Sequence, residues 1–191
     1  IACDKMLIHE DNPYFCSDCY AGIRFVRSPV CTRCGTPFAG SEQKDHLCGE
    51  CLTEKQAFST ARCVGYYETA LLTCIHRFKY NENLGAGKAL GTLMAEYEYP
   101  SFRIADYTLI IPVPLHLTRL RERGFNQSLI LARVIAERYA LPVDFETLKR
   151  QTYTDPQVNL GRGERETNVK GAFKIADPSR IDGEKIILVD D

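Results

Sequence analysis

Three Cys-x-x-Cys pairs, Cys16/Cys19, Cys31/Cys34 and Cys48/Cys51, fall within the first 51 residues of this 191-residue chain and restrict its folding more than any other feature. Two thiolates at that spacing turn towards one point in a tight knuckle, and two knuckles complete a tetrahedral zinc site. Residues 1–56 are rich in Cys, Gly, Pro, Asp and Ser and poor in helical periodicity, so they bury too little apolar surface to fold unaided. The pairs at Cys31/Cys34 and Cys48/Cys51 are separated by 13 residues, enough for a hairpin to bring them together, and Gly35 and Gly49 supply backbone freedom. Zinc is preferred to disulfides here because nothing else in the sequence implies an oxidising compartment.

The pair Cys16/Cys19 needs partners of its own. Cys3 lies upstream of Cys16 with 12 residues between them, nearly the same interval, which predicts a second ribbon in series with the first. A cysteine just before Ile1 would complete that set, and His9 is the alternative ligand. The start at Ile1 and the stop at Asp191, directly after an apolar strand, are those expected of a fragment of a longer chain. The expected metal ligands are therefore Cys3, Cys16, Cys19, Cys31, Cys34, Cys48 and Cys51. Cys63 and Cys74 sit within apolar patterns and read as core cysteines.

From about residue 57 the composition changes, and a second domain, 57–191, is expected. Ala61 to Tyr67 has strand character. Apolar spacing predicts helices over Thr69–Tyr80 and Leu84–Tyr97, with His76, Arg77 and Lys79 on a solvated face. An apolar run over Tyr107–Ile111 is stopped by Pro112 and Pro114. A basic, glycine-containing loop over Arg119–Gln127 follows, with Arg119, Arg121 and Arg123, and then a helix ending near Tyr139 with Asn126 as its cap. Strand, glycine-containing turn and helix in that order offer backbone N–H groups to an anion. Leu141–Val143 reads as a short strand and 150–170 as a long polar loop of the kind that forms lids. Ile186 to Val189 reads as a fully buried parallel strand, and it delivers Asp190 and Asp191 to the end of the sheet, where ligands of α/β proteins gather. Strands alternating with helices predict an α/β fold with a parallel sheet flanked by helices. The net charge of -1 gives no global pull towards nucleic acid or membrane, no stretch approaches the roughly 20 apolar residues of a membrane span, and no signal peptide opens the chain, so a cytoplasmic protein is expected.

Taken in order, the Cys-x-x-Cys pairs, Ile111-Pro-Val-Pro-Leu-His116, Arg121-Glu-Arg-Gly-Phe-Asn-Gln127, Asp155-Pro-Gln157, Leu160, Arg165, Asn168, Gly171-Ala-Phe173 and Leu188-Val-Asp-Asp191 resemble the ComF family, associated with competence for DNA uptake. The resemblance covers essentially the whole chain. It implies a zinc-binding amino-terminal module joined to a type I phosphoribosyltransferase domain that binds 5-phosphoribosyl-1-pyrophosphate (PRPP) with Mg²⁺. Ile186 to Asp191 matches the first half of that fold's PRPP motif, and Asp190 and Asp191 would hold the ribose hydroxyls directly or through Mg²⁺. The segment Val113, Pro114, Leu115, His116 to Arg119 would approach the pyrophosphate with Arg123 beside it, and 150–170 would be the lid, whose Arg150, Arg162 and Arg165 would bring positive charge when it closes. The implied activity is phosphoribosyl transfer to an unidentified nucleophile. The rival is a non-catalytic protein that binds single-stranded DNA or partners in the competence machinery, using the basic-plus-aromatic cluster of Arg119, Arg121, Arg123 and Phe125.

Overall fold

In the computed structural model, which describes residues 2–3, 13–40, 44–81, 83–154 and 161–191, each Cys-x-x-Cys pair closes the same turn. The amide four residues after the first cysteine donates to that cysteine's carbonyl: Tyr20 to Cys16 at 2.9 Å, Gly35 to Cys31 at 3.0 Å and Leu52 to Cys48 at 3.0 Å. Two of these turns continue as single-turn helices, α1 (Ser17–Ala21) and α2 (Gly49–Thr53). The third turns back at Gly35, where φ is +74° and a Cβ would stand 2.5 Å from the Ala61 carbonyl oxygen, so only glycine fits. His9 lies outside the described residues.

The α/β part begins with α3 (Thr69–Tyr80), which occupies the span its apolar spacing predicts and buries Ala70, Leu71, Cys74 and Phe78 on one face. Helix α4 (Leu84–Glu96) starts at Asn83, whose side chain accepts from the Ala86 amide. Strand β1 (Leu109–Pro112), α5 (Leu117–Arg123), α6 (Gln127–Tyr139), β2 (Leu148–Arg150), α7 (Arg162–Val169), β3 (Phe173–Ile175) and β4 (Ile186–Val189) follow. Helix α4 packs against α3 on one side and α6 on the other. It can do so because it buries small residues, Ala86, Gly87, Ala89, Gly91 and Ala95, that let three helices approach closely. A Cβ on Gly91 would meet Val134 atoms at 2.8–3.1 Å. Gly91→Ala is therefore expected to destabilise the protein by about 1–3 kcal/mol in urea titration, because stiff, β-branched Val134 cannot yield and the helix-propensity gain of about 1 kcal/mol does not offset the overlap.

Strands β1 and β4 pair in parallel, Leu109 with Ile186 through Pro112 with Val189, and α6 lies across them. Parallel pairing is as expected. The fully buried character is not: only Val189 of β4 is buried, and Leu188 is 58% exposed, because β1 is its one paired neighbour among the described residues. The expected strands at 61–67 and 141–143 reduce to isolated bridges, Phe25 to Gly65 and Ile110 to Val143, since the first lies in the seam against the cysteine-rich region and the second is cut by Pro142. The expected loop over 119–127 is instead mostly helix. Leu117 and Leu120 give α5 an apolar edge, and Gly124, left-handed at φ +73°, ends it. Helix α7 and the last residue of β2, Arg150, fall within the segment read as a long loop, and β2 pairs antiparallel with β3 just beyond it. Asp155, Gln157 and Leu160 lie outside the described residues. Cys74 is a core cysteine, whereas Cys63 is exposed.

The cysteine-rich region and the α/β part share one core. Phe15 and Ile23 belong to the same buried cluster as Leu71, Phe78, Ile110 and Leu131. Backbone bonds from Val26 to Val64 and from Tyr66 to Arg24, both 3.0 Å, join them along the seam. No helix among the described residues is long and apolar enough to cross a membrane.

Candidate functional site

The Sγ atoms of Cys31, Cys34, Cys48 and Cys51 all lie within 4.8 Å of one another, with Cys34 and Cys48 at 3.7 Å. A tetrahedral zinc with Zn–S bonds of about 2.3 Å has sulfur–sulfur edges of about 3.8 Å, so the set fits zinc. Burial acts to raise the Cys31 thiol, but amide hydrogen bonds led by Cys48 and Cys34 overcome it and bring the pKa down to about 6. Cys51 goes the other way: burial, and then thiol contacts from Cys48, Cys34 and Cys31, push it up to about 12. Four thiolates cannot coexist there without a cation to neutralise them. Cys3, Cys16 and Cys19 form a second group on the same scale, with Cys3 and Cys16 sulfurs 3.5 Å apart and Cys19 likewise raised to about 12, by burial first.

Arg62 ties the first cluster to the rest of the molecule. Its guanidinium donates to the carbonyls of Cys31 at 3.4 Å, Thr32 at 3.0 Å and Ala61 at 2.7 Å in the knuckle region, and to Pro100 at 2.6 Å across the seam. Burial lowers its pKa, and the nearby Asp45, Cys31 and Cys34 oppose that effect. Arg62→Ala takes one donor from each of those carbonyls, and we expect it to lower stability by about 2–4 kcal/mol in chemical denaturation while releasing zinc to a chelator faster than wild type.

The second candidate centre lies at the carboxyl ends of β1 and β4. Asp190 accepts a hydrogen bond from the Ser128 hydroxyl at 2.9 Å, and Asp191 forms an ion pair with Lys79 at 3.1 Å. Ser128 is buried in the first turn of α6, and Lys79 comes from the last turn of α3, so two helices converge on the strand end. Desolvation, followed by the charge of Asp191, holds the Asp190 carboxyl above the usual carboxylate range, against the Ser128 bond and the charge of Lys79.

The other predicted residues take varied places. Val113 donates its N–H to Val189 and accepts on its carbonyl from Asn126, so its backbone groups serve the fold. Pro114 and Leu115 are half-buried in the turn after β1. His116 caps α5 through Nδ1 and sets its ring edge-on to Tyr153, 5.5 Å between centroids. Arg119 pairs with Glu122 at 3.0 Å and lies over the Tyr153 ring at 5.6 Å. Arg123 lies over Tyr80 at 6.0 Å. The side chain of Arg165 in α7 lies outside what is described.

Two residues of this centre escape the sequence reading. Lys79, expected on a solvated face, is paired with Asp191; the signal is its position four residues after Ile75 and seven after Leu72, both half-buried. Ser128 stands in phase with buried Leu131, Ala132 and Ile135, and a hydroxyl in that phase needs a partner.

Residues 1–63 match the family described as a double zinc ribbon domain, which supports structural zinc in the cysteine clusters. Competence protein F of Haemophilus influenzae is 29% identical over 184 residues, covering 92% of this chain and 76% of that protein. DNA utilization protein YhgH of Salmonella typhimurium is 30% identical over 179 residues, with the same coverage of 92% and 76%. Competence protein ComFC of Bacillus subtilis is 25% identical over 130 residues, covering 63% of this chain and 50% of that protein. No solved structure matches the chain. A double zinc ribbon leading into an α/β domain, and likeness to these competence and DNA utilization proteins along most of its length, place the chain in the ComF family.

Proposed function

We propose that the protein binds PRPP with Mg²⁺ at the carboxyl ends of β1 and β4, as a phosphoribosyltransferase-like protein serving DNA uptake in the cytoplasm. The observation that carries this reading is the convergence of Ser128 and Lys79 on Asp190 and Asp191 at the end of a parallel strand, the position where α/β sheets hold ligands. Asp190 accepts from the Ser128 hydroxyl and Asp191 pairs with Lys79, and hard carboxylate oxygens such as these suit Mg²⁺ or ribose hydroxyls. Asp190 and Asp191 would hold Mg²⁺ there, and the ion would supply positive charge against the diphosphate. The chain's own groups divide the remaining tasks. Asp190 and Asp191 orient the ribose. Val113, Pro114, Leu115, His116 and Arg119 line the diphosphate side, with Arg123 beside them. Arg165, carried by α7, adds positive charge. Loss of diphosphate from that carbon leaves a cationic centre, so donors to the departing anion and exclusion of water are what the site must supply.

In the same reading residues 1–56 form the zinc module and 57–191 the phosphoribosyltransferase-like domain. Cys31, Cys34, Cys48 and Cys51 hold one zinc, and Cys3, Cys16 and Cys19 supply three ligands of a second. The printed names of the relatives, competence protein and DNA utilization protein, support the uptake role, with the competence machinery as partner. Isothermal titration of the full-length protein with PRPP is expected to show one saturable site that requires Mg²⁺. The reading fails if no binding is seen while the protein keeps a salt-dependent affinity for single-stranded DNA that is lost on neutralising Arg121 and Arg123.

A further inference from the structure

A cavity of about 270 Å³ opens where the cysteine-rich region meets the carboxyl end of α4, well apart from the strand-end carboxylates. Its walls are aromatic. Phe25 stacks on Tyr97 with ring centroids 5.3 Å apart and 9° between the planes, and Tyr20, from α1, tilts against Phe25 at 5.8 Å. Buried Leu93 of α4 lines the cavity beside them. These walls are held in place by the protein itself: the Tyr97 hydroxyl donates to the Val26 carbonyl, Tyr99 meets the Tyr97 ring edge-on at 5.1 Å, and α1 continues the Cys16/Cys19 knuckle. Tyr20 is 43% exposed and still offers ring surface to solvent.

The rest of the lining is charged: Glu96, Glu98 and Arg27, all exposed, make two acids to one base. Glu96 is the last residue of α4, and no basic residue stands in that helix's last turn, so the acid adds to the negative end of the helix dipole instead of opposing it. Neither glutamate has a hydrogen-bond or ion-pair partner among the described residues. Aromatic ring faces are negative too, so rings, carboxylates and helix end all favour a cation, and Arg27 alone opposes it. Pockets for whole ligands run to roughly 300–1,000 Å³, so this one is sized for a single anchoring side chain. Arginine suits it better than lysine, because a planar, weakly hydrated guanidinium stacks on a ring while its edge donates to carboxylates. Aromatic rings also stack nucleobases, but a strand would carry its phosphates past Glu96 and Glu98.

We infer that this cavity is a docking pocket for an arginine side chain presented by an exposed segment of a partner protein, the guanidinium stacking against the corner of Tyr20, Phe25 and Tyr97 and pairing with Glu96 and Glu98. A rigid aromatic corner that excludes water around one charged anchor is how a small patch carries most of an interface's energy. The pocket shares no residue with the carboxylate site, so the inference stands or falls apart from the PRPP reading.

The test is a titration of the full-length zinc-loaded protein, followed by NMR, with a capped peptide carrying one arginine among glycines and serines and with the same peptide carrying citrulline, the neutral isostere. The arginine peptide is expected to saturate one site and to shift the amide signals of the lining residues, and the citrulline peptide to bind about 10-fold more weakly. Tyr20→Leu, which keeps apolar bulk beside Phe25, is expected to weaken the arginine peptide roughly 3- to 30-fold. Glu96→Gln combined with Glu98→Gln is expected to weaken it roughly 3- to 20-fold and to flatten its salt dependence. Arg27→Gln is expected to tighten it roughly 2- to 5-fold by removing the opposing charge, a gain that a merely structural role would not produce. Glu137→Gln, the same change of charge on an exposed position of α6, is the control and binds like wild type. Should Tyr20→Leu fail to hold zinc, the glutamate pair and Arg27→Gln, all at exposed positions, decide the matter. Equal binding of the two peptides, absence of saturable binding, or weaker binding by Arg27→Gln overturns the inference. So does a single-stranded oligothymidylate that shifts the lining amides and loses affinity with Tyr20→Leu while the arginine peptide leaves them unmoved, since the corner then stacks bases.

Discussion

Cys51→Ser is expected to release about one equivalent of zinc per chain and to lower the melting temperature by roughly 10–20 °C, the largest stability effect of any single change considered for this molecule. Structural zinc contributes an apparent 10–16 kcal/mol or so to small zinc modules, and a serine hydroxyl does not replace a thiolate as its ligand, so even losing half of that energy exceeds what a core truncation costs. The effect should spread beyond the knuckles. Val30 and Cys31 are fully buried, Arg62 links the Cys31 and Thr32 carbonyls to Pro100, and Asp45 accepts from Val30 in the ribbon and from Ser101 in the α/β part. Loosening the cluster therefore frees the seam on which Phe15 and Ile23 enter the common core. Cys63→Ser is the matched control: Cys63 is exposed and belongs to neither thiol group, so zinc content and melting temperature should stay at wild-type values. Metal analysis and a thermal melt on both variants check the pair, and a Cys51→Ser protein with full zinc and an unchanged melt would falsify the ribbon assignment.

What could be read from the sequence and what could not divide along the range of the interactions involved. The knuckles and α3 are local: two cysteines at fixed spacing close one turn, and Leu71, Cys74 and Phe78 mark one helical face. Strand β4 was legible as a parallel strand with acids at its end, but its half-exposed state depends on which neighbours it pairs with, and four apolar residues do not encode that. Helix α5 was missed because three arginines and a glycine read as loop chemistry, although Leu117 and Leu120 with Gly124 at the C-terminal cap mark a short helix. Lys79 and Ser128 lie far in sequence from the acids they contact, and only the parallel pairing of β1 with β4 brings them together. Long-range polar partners were the hidden part of the site, and the apolar scaffold that positions them was the visible part.

The carboxylates at the end of β4 should separate function from stability. Asp190→Asn is expected to weaken Mg²⁺-dependent PRPP binding about 100-fold, the loss of roughly 3 kcal/mol of charge-dependent contact, while leaving the fold as stable as wild type or slightly more so at neutral pH. The sign follows from linkage. Desolvation holds the Asp190 pKa above its unfolded value, so the folded protein binds that proton more tightly, and stability falls as pH rises from the ordinary carboxylate range through the raised value. Above that raised value the penalty is fully present, and an amide, which still accepts from Ser128, removes it. Asp191→Asn should lose binding to a similar degree but behave oppositely in stability. It leaves the Lys79 ammonium, 24% exposed, without its counter-charge, at a cost of about 1–2 kcal/mol after allowance for solvent screening. Lys79→Met placed in the Asp191→Asn background should recover that stability and none of the affinity, because the cation then no longer lacks a partner while the ligand oxygen is still missing. If instead Asp190→Asn destabilises the protein as much as Asp191→Asn, the two acids are both scaffold, and a ligand site at the end of β4 loses its physical basis.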